Sequence, residues 1–193
     1  GMTLQIKDVV WSQSFTSKNF GDDLHIAVFA EDAGSIAFEI YSDSQKHSEA
    51  TVFCHGSAEF KVVQSRRAID VSAVQSEMNL GMIDSDDCYL LFRNTDIEYG
   101  ESLQGIEKIY KGKNQTLAKL SLPSVLQANS SDYILHPSVM EAALQSTSGL
   151  LSQKFAQPQT LDSLEVIQAC ASVMFVWVRY SAEIATQAQG QKF

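Results

Sequence analysis

Basic residues are in short supply in this chain: 14 Lys and Arg stand against 23 Asp and Glu, leaving a formal charge of -9 over 193 residues. A protein that grips nucleic acid needs a basic footprint, and one that sits on an anionic membrane needs a polybasic face, so both partner classes are excluded as expectations. Cysteine is equally sparse. Cys54, Cys88 and Cys170 are odd in number, far apart and without a C-x-x-C pair, which argues against a disulfide framework and against a zinc site. No apolar run reaches the roughly 18 residues that cross a bilayer. There is no basic-then-apolar leader, no repeat and no low-complexity tract, so a cytoplasmic chain is expected. Nothing calls for a metal or another cofactor.

What remains is ordinary folding material. Hydrophobic residues make up 45% and charged residues 19%, the balance of a globular domain or of two small subdomains. Strands are predicted over residues 4–15, 24–30, 35–42 and 50–63, the last interrupted at Gly56, where a bulge or bend is expected. Short polar connections suggest that these four strands form an antiparallel meander. Residues 64–84 have weak helical patterning and read as a crossing linker. Residues 86–93 begin with acidic side chains, favourable at a helix N-terminus. Strands are expected again over 103–110, 117–122, 161–169 and 174–181, with a helical turn at 123–126 and a polar tail over 186–193. The class is α+β with antiparallel sheet.

The longest helix is predicted from Pro137 to about residue 154. Proline suits the first turn of a helix. Glu141 follows it by four residues and Gln145 by eight. Residues four apart share a helix face, so these two side chains project together from a small, apolar helix. A carboxylate on such a surface must be paired, solvated or used. By spacing alone a solvent-facing carboxylate is the commoner use, and a solvent-facing glutamine is as frequent as one that holds its neighbour.

The run Tyr133-Ile-Leu-His136-Pro137, followed by Ala142-Ala-Leu-Gln145, resembles the second catalytic motif of the dehydratase domain of modular type I polyketide synthases. There a helix after a His-Pro pair carries an Asp with a Gln four residues on. Glu98-Tyr99-Gly100-Glu101-Ser102-Leu103-Gln104-Gly105 resembles the same family's Tyr-Gly-x-x-(Phe/Leu)-Gln-Gly stretch. Leu4 to Trp11, Ser163 to Val166 and Val176 to Tyr180 resemble its strands, in the same order.

The resemblance implies a hot-dog fold: an antiparallel sheet wrapped around a central helix, here as part of a double hot dog. Residues 1–63 would form a partial first half, 64–90 a linker and 91–193 the second half, with its central helix at about 137–154. It implies dehydration of a β-hydroxyacyl group held as a phosphopantetheine-linked thioester on an acyl carrier protein, among other polyketide synthase domains. In the family a histidine from the first half removes the α-proton, and the Asp of the second half protonates the departing hydroxyl.

The resemblance gives Glu141 the position of the acid and Gln145 the task of holding it by a hydrogen bond. His136 and Pro137 place the helix. Tyr99 and Gly100 would form a loop against the substrate channel, with Gly100 allowing close backbone approach or a positive φ; an ordinary tight turn is the plain alternative. Arg66, Arg67, Lys108, Lys111 and Lys113 offer themselves to an acidic carrier protein, or form a scattered solvated face.

Two departures qualify this. The family's first motif, H-x-x-x-G-x-x-x-x-P, does not occur in the chain, and His25, His47 and His55 all lack its glycine and proline. The chain also stops before the family's last strands. Secondly, the acid is Glu141 rather than Asp, and a displacement near 1 Å in a catalytic group can cost about a hundredfold in rate. Three functions therefore stay open: an incomplete dehydratase, weak alone; a non-catalytic structural or carrier-docking remnant; and a relative that shifts a double bond or closes a pyran ring. A first half without its helix leaves a sheet face uncovered, which predicts a homodimer, or a repacking in which the Pro137 helix covers more sheet than usual.

Overall fold

The computed structural model describes residues 2–16, 19, 21–43, 50–62, 68–150 and 158–181. It divides into two compact units, residues 1–66 with 157–167, and residues 67–156 with 168–193.

In the first unit, β1 (Met2–Trp11), β2 (Leu24–Ala30), β3 (Ile36–Ser42), β4 (Thr51–Val62) and β8 (Thr160–Val166) form one antiparallel sheet. Its order is β2-β3-β4-β1-β8. The expected four-strand meander is thus corrected: only β2, β3 and β4 meander, while β1 lies between β4 and β8. Alternation tells a strand which face is apolar, not which neighbour it pairs with. A second correction follows from β8. The expected second half, 91–193, surrenders it to the first unit's sheet.

The bulge expected at Gly56 lies instead on the facing strand. Lys7 pairs with Ser57 and Val10 with His55, so β1 spends Asp8 and Val9 opposite Gly56 alone. Asp8 takes φ +52° there. Gly56 answers a different need. A Cβ on it would come within 2.9 Å of the Phe38 ring and 3.1 Å of the Lys7 carbonyl, so only glycine lets these strands close.

The registers put Leu24, Ile26 and Val28 on one face with Phe38, Ile40, Phe60, Val62 and Leu4. Several of these are well exposed, Ile26 at 69% and Val62 at 77%. The opposite face carries Lys7 and Lys61, both paired to Glu59.

The second unit holds α1 (Val71–Ser76), β5 (Met82–Asp84), α2 (Ser85–Arg93), β6 (Ile106–Gly112), β7 (Gln115–Ser121), α3 (Pro137–Gln145) and β9 (Val173–Arg179). The sheet order is β5-β6-β7-β9, all antiparallel. The expected linker 64–90 is corrected here too, because α1, β5 and the first turn of α2 fall within it. Asp84 caps α2 by accepting from the Asp87 N–H at 3.0 Å, and Asp86 and Asp87 face the positive end of the helix dipole.

Cys88, Tyr89 and Phe92 of α2, Ile106 and Ile109 of β6, Ala118 and Leu120 of β7 and Ala142 of α3 form one buried cluster. Helix α3 ends earlier than residue 154. After Gln145 the chain tightens into a 3-10 turn over Ser146–Gly149, and residues 151–157 lie outside the described residues. Ser146 Oγ donates to the Ala142 and Ala143 carbonyls and Thr147 Oγ1 to that of Leu144. Such hydroxyl back-bonding competes with the helix ladder.

Gly149 closes this turn against the sheet. A Cβ there would stand 2.7 Å from Ile109 Cγ2 and 2.8 Å from Thr116 Cγ2, both on fully buried, β-branched side chains. Gly149→Ala should therefore lower stability by about 1–3 kcal/mol, the usual cost of overpacking. Urea unfolding measures it, and an unchanged midpoint would show that the turn can move aside.

Candidate active site

The site is built on the inner side of α3. His136 is the residue before the helix: its Nδ1 accepts from the Ser138 N–H at 3.1 Å, and its ring packs edge-on against Tyr133. Pro137 takes the first helical position, where its missing N–H costs nothing. The buried imidazole is thus engaged at the helix start. A cleft lined by Leu122, Tyr133, His136, Val139 and Cys170 lies at this same end.

One turn further along, Glu141 is half-buried, and Gln145 is fully buried one turn beyond it. The Gln145 Nε2 donates to Glu141 Oε1 at 3.4 Å and to the Leu103 carbonyl at 3.2 Å. Tyr99 completes the group. Its hydroxyl lies near Glu141 and Gln145, and burial, reinforced by the negative charge of Glu141, raises its pKa far above the ordinary phenol range. At neutral pH the Tyr99 hydroxyl therefore keeps its proton. Its ring stands edge-on to Phe92, 5.0 Å between centroids, and to Tyr89. Gln104 Nε2 holds the Tyr99 carbonyl at 2.7 Å.

Of the residues expected from the sequence, Glu141, Gln145 and Tyr99 come together. His136 and Pro137 sit at the start of the same helix. Gly100 shows neither the close approach nor the positive φ, since its φ is -64° and a Cβ would meet nothing within 4 Å; the plain alternative of a tight turn is what it takes. It only opens the 3-10 turn Glu101–Leu103. The glycine that permits close approach is Gly105, whose Cβ would stand 3.0 Å from that of Ala142 and 3.1 Å from the Ser121 carbonyl. Gly105 lets α3 lie against the sheet. The signal for it was present in the Gln-Gly pair at the start of β6.

Sequence reasoning also missed Tyr89. It is 4% exposed, its hydroxyl donates to Gln145 Oε1 at 3.2 Å, and it accepts from the Ile106 N–H at 3.0 Å. Burial raises its pKa well above the phenol range. The neighbouring Cys88 thiol is pushed up to about 11 by burial, so it stays protonated and unreactive. Elsewhere, His25 and His55 are exposed on the first unit's sheet, and His47, Arg66 and Arg67 lie outside the described residues. Among the described residues no group of three or more His, Cys, Asp or Glu is placed to hold a metal ion. No helix there is long and apolar enough to cross a membrane.

A carboxylic acid held by an amide can lend a proton to a leaving oxygen. Known proteins are similar to this chain in sequence and fold. Polyketide synthase PksM of Bacillus subtilis is 34% identical over 98% of this chain, and PksN of the same organism 34% over 91%. The chain spans only 5% and 3% of their lengths. Among solved structures, a trans-AT polyketide synthase dehydratase domain from Brevibacillus brevis superimposes with a TM-score of 0.86 at 33% identity, over 93% of this chain and 64% of that one. The dehydratase domain from the CurF module of curacin polyketide synthase has the same fold, with a TM-score of 0.84 at 24% identity, over 93% of this chain and 66% of its own. The two antiparallel sheets and few helices are thus the hot-dog, α+β architecture of those domains. The family described as polyketide synthase dehydratase N-terminal domain matches residues 68–193, the stretch that contains Tyr89, Tyr99, Glu141 and Gln145, and to that family the chain belongs.

Proposed function

We propose that this chain supplies the acid half of a dehydratase site, with Glu141 as the proton donor. The substrate class is a β-hydroxyacyl thioester carried by the phosphopantetheine arm of an acyl carrier protein, in the cytoplasm, alongside other polyketide synthase domains. The observation that supports this is the half-buried Glu141 carboxyl, which accepts from the Gln145 amide and has Tyr99 beside it.

In the reaction a base removes the α-proton, the electron pair forms the α,β double bond and the β C–O bond breaks. The Glu141 proton goes to the departing oxygen, which leaves as water. The base is a histidine that the family's first motif supplies and this sequence does not contain. The chain alone is therefore a weak dehydratase or none.

Incubation with a carrier-bound β-hydroxyacyl thioester, followed by intact-mass analysis, tests this. No loss of water is expected from the chain alone, and rapid loss would overturn that expectation. Carrier binding with no turnover in any form would favour a docking module. Movement of the double bond in an enoyl thioester would favour the isomerase or pyran-forming relatives, in which the acidic position varies as it does at Glu141.

The first unit supports a second copy as partner. Ile26, Val28, Phe60 and Val62 expose a continuous apolar sheet face, and patches of that kind mark association surfaces. Sedimentation velocity should show a dimer whose population falls for Ile26→Asp. A strictly monomeric wild-type chain at high concentration would count against it.

A further inference from the structure

We infer that Tyr89 is a positioning residue that fixes the direction of the Gln145 carboxamide, so that its N–H rather than its C=O faces Glu141. The argument rests on groups that cannot exchange roles. The Ile106 backbone N–H can only donate, and it points at the Tyr89 oxygen, 3.0 Å away. That oxygen accepts, so its own proton is free for the carboxamide 3.2 Å beyond. On the far side, the Leu103 carbonyl can only accept, and it lies 3.2 Å from the other carboxamide terminus.

With Oε1 toward Tyr89 and Nε2 toward Leu103, every group has a proton between it and its neighbour. The reversed amide would face Leu103 and Glu141 with a third acceptor and leave the Tyr89 proton without a partner. Buried groups of this kind are costly to leave unsatisfied, and both Tyr89 and Gln145 are buried. The amide direction is therefore set by two backbone groups, one read through Tyr89.

The consequence falls on Glu141. Its Oε1 receives the Nε2–H of Gln145 at 3.4 Å, so the transferable proton belongs on Oε2. Tyr89 acts on Glu141 through Gln145. Its meaning for catalysis rests on the function proposed above, whereas the amide direction does not.

The test uses the whole chain, 15N-labelled, with the Gln145 side-chain amide assigned by its loss in Gln145→Leu. Wild-type Gln145 should show a protected pair of amide protons with nuclear Overhauser contacts to Leu103. Tyr89→Phe removes only the hydroxyl, and should speed exchange of that pair about tenfold and weaken those contacts, with the backbone spectrum otherwise native. Phe92→Leu loosens the same core but keeps the hydroxyl, and should leave the Gln145 protons protected. Equal effects of the two variants, or no effect of Tyr89→Phe, would overturn the inference. In a form supplied with a histidine base, Tyr89→Phe should lower kcat about tenfold at unchanged KM. Wild-type inactivity there would sink the proposed function while leaving the amide result to decide this one.

Discussion

Glu141→Gln is expected to slow dehydration by about a hundred- to ten-thousandfold, the span that a positioned general acid contributes. The measurement requires a base, so it belongs in the chain joined to a segment that supplies the missing histidine. Glutamine nearly matches glutamate in shape and still accepts from Gln145 Nε2, but it has no proton to give the leaving oxygen. Glu141→Asp asks a different question. It withdraws the carboxyl by one C–C bond, away from Gln145 and Tyr99 as they stand. If the family geometry suits the substrate, the shorter acid should raise kcat by as much as a hundredfold. If Glu141→Asp is as slow as Glu141→Gln, the longer side chain is matched to this site, and a relative with altered chemistry becomes the better reading.

Phe92→Ala is expected to cost about 3–5 kcal/mol, the largest loss of stability among single truncations in this core. Phe92 is 3% exposed in the middle of the buried cluster. Its ring stands edge-on to Tyr99, with an interplanar angle of 84°, and tilted against Tyr89 at 6.1 Å. Truncation removes the hydrophobic burial and both ring contacts, and leaves a cavity between α2 and the sheet. For a chain of this size the loss corresponds to a fall in Tm of about 6–20 °C. Because the protein has two units, the transition should be followed with a probe in the second one. Trp177 serves, held there by its Nε1–H bond to Gln115 and by Arg179 over its ring. A loss below about 1 kcal/mol would mean that α2 collapses into the vacancy. In the form joined to a histidine-bearing segment, loss of turnover should accompany it, since Tyr99 leans on the same ring.

What the sequence made legible was local. Residues 24–30 alternate between two turn signals, and β2 spans those residues. The acidic start of α2 and the Pro137 start of α3 were readable because capping chemistry depends on a few adjacent residues. The shared face of Glu141 and Gln145 was readable because four residues make one helical turn.

The rest depended on partners far along the chain. Nothing in β1 announces that it lies between β4 and β8. Tyr89 and Gln145 are 56 residues apart, so their hydrogen bond left no local trace. Gly56 drew attention to a bulge that its partner strand provides, and Gly100 drew attention that belonged to Gly105. A glycine signals permission, and only the packed neighbours reveal whether the permission is used. Ser146 and Thr147 ended α3 through hydroxyl bonds to preceding carbonyls, where apolar periodicity alone suggested more helix.

The central claim, that the Glu141 proton goes to the leaving hydroxyl, is tested most directly by intact-mass measurement of a carrier-bound β-hydroxyacyl thioester. The account predicts no loss of water with the chain alone and prompt loss once a histidine-bearing segment is joined to it. It predicts almost none when Glu141 in that joined form is changed to glutamine. Dehydration by the Glu141→Gln form at the wild-type rate would contradict it.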